Sequence, residues 1–176
     1  MECILAFGGR SKSGKTTLAK RLAKEMDWRF ASFGDYVRHE AGRRGLHSPS
    51  AEQLQDVGLS LVRNDILGFC RSVLEDSGFV PGEGLVVDGI RHLATLAALR
   101  VLTLQQCLKF VYLESSFEER VRRGLLSPEA LEKLDSHAVE SEMLEIKGVA
   151  DLVLNTSSCG SNCFTVLRGW VLQQQR

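Results

Sequence analysis

Eight consecutive residues, Gly9, Arg10, Ser11, Lys12, Ser13, Gly14, Lys15 and Thr16, follow the spacing Gly-x-x-x-x-Gly-Lys-Ser/Thr. At average residue frequencies a chain this long meets that pattern by chance in fewer than about 1 in 100 cases. Each residue type serves a separate need. The glycines let the backbone curl so that successive N–H groups point inward at phosphate oxygens, and a helix start behind them adds its positive dipole end. Lys15 can bridge the terminal phosphates, and the Thr16 hydroxyl can ligate Mg²⁺. Gly9, Ser11, Ser13, Gly14, Lys15, Thr16 and Thr17 are therefore the candidate residues for binding a nucleoside triphosphate, expected to be ATP.

Such a loop needs a strand before it and a helix after it, and the sequence supplies both. Cys3 to Phe7 is a continuous apolar run, as expected of a strand buried on both faces of a parallel sheet. Leu18, Ala19, Leu22, Ala23 and Met26 then recur at helical spacing. Further strands are expected at Trp28 to Ser32, Leu85 to Val87, Cys107 to Leu113 and Leu152 to Leu154. Helices are expected over Gly34 to Gly42, Ser50 to Leu74 (one long or broken), Leu93 to Leu102, Phe117 to Arg123, Pro128 to Ile146 and Phe164 to Leu172. Ser32, with Asp35 three residues on, has the spacing of a capping box. Short apolar runs alternating with helical stretches, without repeats or a Pro/Ser linker, predict one α/β domain over the whole chain.

Composition closes off several function classes. The 176 residues carry 22 Lys+Arg against 22 Asp+Glu, a net charge of zero, which argues against non-specific nucleic-acid binding. The best membrane candidate, Leu93 to Leu104, is too short and is interrupted by Arg100, and the first residues lack the features of a secretory signal. Five scattered cysteines, an odd number, do not make a disulfide scaffold. Cys159 and Cys163 lack a nearby second pair for zinc, and Cys3 and Cys107, in expected strands, read as small buried hydrophobes. His137 and Glu140 have a metal-compatible spacing but read as solvated. A cytoplasmic protein, monomer or homodimer, without membrane or nucleic-acid partners is expected.

Three further segments carry charge where chemistry would need it. Gly34-Asp35-Tyr36-Val37-Arg38 opens a helix after the second strand. Asp88-Gly89-Ile90-Arg91 ends the third strand, at the edge where an open parallel sheet puts its ligands, so Asp88 is placed to hold Mg²⁺ through water. Arg120, Arg122 and Arg123 follow the fourth strand, and the first and last of them share a helix face. With the phosphate loop, these segments resemble in order the P-loop nucleoside monophosphate kinases, adenylate-kinase-like and related to dephospho-coenzyme A kinase. The resemblance covers most of the chain and departs in one place: Arg91 comes one position sooner than in adenylate kinases. It implies a three-layer sandwich around a five-stranded, mostly parallel sheet of order 2-3-1-4-5. It also implies substrate binding by Asp35, Arg38 and Arg91, an acceptor region over about residues 34–75, and a short lid over about 120–130, within it Gly124 to Glu129. Lys15, Asp88, Arg120 and Arg123 would be catalytic, with Thr16 and Asp88 at the metal. A weaker likeness over Ala150 to Ser157, to the last strand of dephospho-coenzyme A kinase, implies a contact of Asn155 with adenine.

The reaction so implied moves the γ-phosphoryl of Mg-ATP onto a small phosphorylated acceptor, foremost a nucleoside monophosphate. An acceptor phosphate oxygen is already anionic near neutral pH, so no general base is required. Two alternatives stay open: a dephospho-coenzyme A kinase-like enzyme, which would need a carboxylate base, and a regulatory NTPase without a small-molecule acceptor.

Overall fold

In the computed structural model, described over residues 2–104, 106–124, 126–136 and 142–175, the chain opens with strand β1 (Ile4–Gly8), the phosphate loop and helix α1 (Lys15–Met26). Then come β2 (Arg29–Ser32), α2 (Phe33–Arg43), α3 (Ala51–Asp76), β3 (Leu85–Ile90), α4 (Leu93–Leu102) and β4 (Leu108–Glu114). After these lie α5 (Phe117–Arg122), α6 (Pro128–Asp135), α7 (Met143–Gly148), β5 (Leu152–Asn155), the short α8 (Thr156–Cys159), a 3₁₀ turn and α9 (Cys163–Gln174).

The five strands are all parallel and run in the order β2-β3-β1-β4-β5. Because strand side chains alternate, β1 serves two cores. Ile4 and Ala6 join α2, α3, α4 and α7 on one face, whereas Leu5 and Phe7 join α1 and α9 on the other. All four are 0% exposed. That is why the first strand reads as an unbroken apolar run, and each large side chain so buried contributes about 1.5–3 kcal/mol.

Helix boundaries follow their caps. Ser32 accepts from the Asp35 amide, Ser50 and Gln53 form a reciprocal capping box, and Ser116 and Ser127 cap α5 and α6. Helix α3 is broken at Asp65, whose backbone leaves the helical region while its carboxylate accepts from the Gly68 amide at 2.8 Å. Within the expected helix over Pro128 to Ile146 the described residues form α6 and α7, interrupted at Ser136 and Glu142, and 137–141 lie outside the described residues. His137 and Glu140 therefore lie outside the description, as does Leu125 within the expected lid.

The cysteine reading needs correction. Cys159 and Cys163 are joined by a disulfide across the start of α9, with Cα atoms 5.0 Å apart. The four-residue spacing lets two thiols meet across one turn, so the pair is a local crosslink and no framework. Cys3 is buried as expected, but Cys107 precedes β4 and is exposed. Among the described residues no helix is long and apolar enough to cross a membrane.

Candidate active site

The loop between β1 and α1 is shaped by backbone positions that exclude side chains. Gly9 has φ +137°, and a Cβ there would sit against the Leu113 carbonyl of β4. Gly14, at φ 90°, is the N-cap of α1 and supplies no capping side chain, so the first-turn N–H groups of α1 face the loop's hollow. The Lys15 ammonium bonds the Arg10 carbonyl at 3.2 Å across that hollow, and Lys15 is only 8% exposed.

Strand register brings Asp88 to the same place. Phe7 pairs with Asp88 across β1 and β3, and Ser32 pairs with Asp88 across β2 and β3, so the carboxylate emerges at the C-terminal edge beside the loop. The Thr16 hydroxyl donates to Asp88 Oδ2 at 2.6 Å, while Asp88 Oδ1 is buried without a hydrogen-bond partner. A hydroxyl and a half-satisfied carboxylate form an all-oxygen donor set, which suits Mg²⁺.

One cleft of about 720 Å³ joins these groups to helices α2 and α3. It is lined by the loop from Ser11 to Thr17 with Asp88, by Arg91 and His92, and by Gly34, Val37 and Arg38 of α2.

Residues 9–141 match the AAA domain family. The chain belongs to that family. A UPF0200 protein of Aeropyrum pernix is 29% identical to this AAA domain protein over 161 residues, covering 88% of this chain and 85% of the relative. A cytidylate kinase of Ignicoccus hospitalis is 30% identical over 174 residues, covering 89% and 91%. The solved structure of a gluconokinase from Sinorhizobium meliloti shares the fold, with a TM-score of 0.62 at 16% identity over 98% of this chain and 93% of that one. The AAA domain here is thus a P-loop kinase fold, with the strand order that the resemblance implied.

Around the loop of this AAA domain, four arginines take different places. Arg91 donates to Ser11 Oγ at 2.9 Å and lines the cleft. Arg123 donates to the Lys12 carbonyl at 2.9 Å and to Thr156 Oγ1 at 3.2 Å, and it too lines the cleft. Arg120 turns inward: it is 3% exposed, bonds both Asp135 oxygens at 2.8 and 2.5 Å, and reaches the Ser11 carbonyl at 3.3 Å. Arg10 grips Asp135 from the loop side at 2.9 Å. The shared helix face expected of Arg120 and Arg123 thus splits, one side chain going beneath the loop and the other to its rim. Arg122 is exposed and pairs with Glu119.

Asp35 and Arg38 form an ion pair on the surface of α2, and Arg38 lines the cleft while Asp35 does not. Burial raises the Asp35 carboxyl, but hydrogen bonds from Arg38 and Ser32 and the Arg38 charge outweigh it and hold it below the usual range. Asn155, expected near adenine, lies off the cleft, its carboxamide oxygen capping α8 through Ser157 and Ser158. Its neighbour Thr156 lines the cleft instead, its hydroxyl 3.1 Å from the Ser13 carbonyl. Thr156 was not among the expected site residues. Nor was Asp135, for which only a lone acid at the end of an amphipathic helix was visible.

The Asp135 carboxyl is raised by burial, but Arg120 and Arg10 outweigh that and hold it below the ordinary value. A pKa lower in the folded than in the unfolded chain contributes stability that is fully present above the unfolded value of about 4 and is lost as pH falls through the folded value. Wild-type urea midpoints should therefore fall more steeply below about pH 4 than those of Asp135→Asn. Parallel curves for the two proteins would remove Asp135 from the acid response.

Proposed function

We propose that the protein is a Mg-ATP-dependent phosphotransferase whose acceptor is a small phosphorylated molecule, a nucleoside monophosphate. The observation that carries this reading is the continuity of the cleft. The phosphate loop, the α2–α3 wall and the cations Arg38 and Arg91 all line it. Its volume falls within the range of small-ligand sites. The relationship to a cytidylate kinase supports the same acceptor class.

In this reading the loop amides and Lys15 hold the β- and γ-phosphates of ATP. Thr16 and Asp88 are the residues that would hold Mg²⁺, which when bound offsets charge on the β- and γ-oxygens. Arg38 and Arg91 hold the acceptor phosphate facing the γ-phosphorus. An acceptor oxygen forms the new P–O bond as the bond to the β-phosphate oxygen breaks, and ADP leaves with that electron pair. Arg123, at the loop rim, is the arginine we assign to charge on the transferring group. Arg120, with Asp135, is assigned to positioning the loop.

The test is ADP release with Mg-ATP against a panel of ribo- and deoxynucleoside monophosphates and dephospho-coenzyme A. One monophosphate should stimulate release and appear as the diphosphate. Arg38→Ala should then raise the acceptor KM about 10- to 100-fold and leave the ATP KM within about 3-fold, since a charge-assisted contact is worth about 1.5–3 kcal/mol. The reverse pattern would move the acceptor elsewhere. Slow hydrolysis indifferent to every acceptor would favour a nucleotide-switched regulator.

A further inference from the structure

The acceptor wall of the cleft holds a polar group that nothing among the described residues engages. Leu54, Gln55, Gly58, Leu59 and Val62 of α3 line the cleft at helical spacing, so a single face of that helix forms the wall. Gln55 is the only residue among these five with a hydrogen-bonding side chain. It is 8% exposed, and both its Nε2 and Oε1 are buried without a hydrogen-bond partner. A primary amide shut away from water with neither its donor nor its acceptor used is uncommon in folded proteins. Gln55 lines the cleft, so a ligand there that draws the amide toward it would satisfy both its donor and its acceptor.

The surroundings say what kind of ligand that is. Gly58, one helical turn from Gln55, presents no side chain, and a Cβ there would come to 3.6 Å from Val37 Cγ2, an ordinary contact distance, so α2 and α3 pack closely at that point. Around Gln55 the cleft lining is apolar, with Val37, Leu54, Leu59, Val62 and Phe69. An apolar lining with one primary amide suits the faces and the polar edge of an aromatic base. The cleft also carries Arg38 and Arg91, cations able to hold a phosphate.

We propose that Gln55 is a specificity-determining residue that reads the hydrogen-bonding edge of a nucleobase on the acceptor. This deepens the acceptor reading above and rests on it. Every nucleobase sets an N–H donor beside an N or O acceptor on its Watson–Crick edge. The glutamine amide, turned one way or the other, answers either order with two bonds. A phosphorylated sugar without a base offers no such edge to the amide. The amide thus favours nucleoside monophosphates over sugar phosphates, and its orientation and neighbours rank the bases.

The test uses Gln55→Leu and Gln55→Glu beside wild type, with AMP, CMP, GMP and UMP as acceptors and calorimetric binding as a second readout. Leucine fills similar volume in an apolar wall, so the fold and thermal midpoint should be kept or improved. For the best acceptor its KM and Kd should rise roughly 10- to 100-fold, from two lost hydrogen bonds, while the ATP KM does not follow. The preference among the four bases should flatten. Glutamate keeps size and an acceptor but, ionised, lacks the amide donors, so the rank order should change. An unchanged acceptor KM, Kd and base preference in both variants would overturn the proposal. Wild type that binds and phosphorylates no nucleoside monophosphate would instead bring down the acceptor reading, and this inference with it.

Discussion

Lys15→Ala should lower kcat by at least about 10³-fold while leaving the thermal midpoint within a few degrees, because removing a cation from the transferring phosphates costs about 4 kcal/mol of transition-state stabilisation. Fold retention is expected from the position: Lys15 is the first residue of α1, where alanine is a good helix former and the strand before the loop is untouched. The ammonium is held 3.2 Å from the Arg10 carbonyl in a little-exposed pocket, so it is already close to where the phosphates would lie. Lys15→Arg should rescue poorly, since a planar fork cannot occupy the place of a compact ammonium. Single-turnover phosphoryl transfer is the measurement. Turnover within about 3-fold of wild type would remove the loop from the donor site.

Arg120→Met should destabilise the fold by about 1.5–3 kcal/mol, since it takes one of two cationic partners from the half-buried Asp135 beneath the loop. For a chain of this size that lowers the midpoint by about 3–12 °C. Arg120→Met combined with Asp135→Leu should recover most of the loss, because an apolar pair needs no desolvated charge. The same experiment separates two roles for this arginine. A normal midpoint with a large drop in kcat would make Arg120 a lid residue acting on the phosphates, as the resemblance implied. A lowered midpoint repaired by the double substitution would leave it the strut beneath the loop that its 3% exposure suggests.

What could be read beforehand was what adjacent residues determine. The phosphate loop is eight contiguous residues, and its strand and helix flank it directly, so local chemistry and periodicity sufficed. Asp88 was legible because an acid ending an apolar strand has one destination in a parallel sheet. Helical spacing, by contrast, tells which residues share a face but not where that face ends up. Arg120 and Arg123 show the limit: three residues apart, they diverge because Asp135 draws one inward and the Lys12 carbonyl and Thr156 hold the other. Gln55 stayed hidden for a related reason, since a polar residue beside an apolar stripe is ordinarily solvated and only the packing of the folded chain around α3 buries it. The Cys159–Cys163 spacing was noticed, but composition argued only against a disulfide scaffold, a weaker statement than one about a single local bridge.

Strands β2 and β3 are neighbours, and the chain between them leaves the sheet at Phe33 and returns at Leu85. The proposed acceptor contacts Arg38 and Gln55, with Val37 and Gly58 between them, belong to that one excursion, while the phosphate loop and the further acceptor contact Arg91, just past β3, lie outside it. Most of the acceptor side is therefore a cassette. Its two ends are anchored on adjacent, hydrogen-bonded strands, so exchanging it as a unit, with its packing against α4 preserved, would alter which molecule receives the phosphoryl group without rebuilding the part that delivers it. In a fold of this layout donor and acceptor specificity can diversify on separate stretches of one chain.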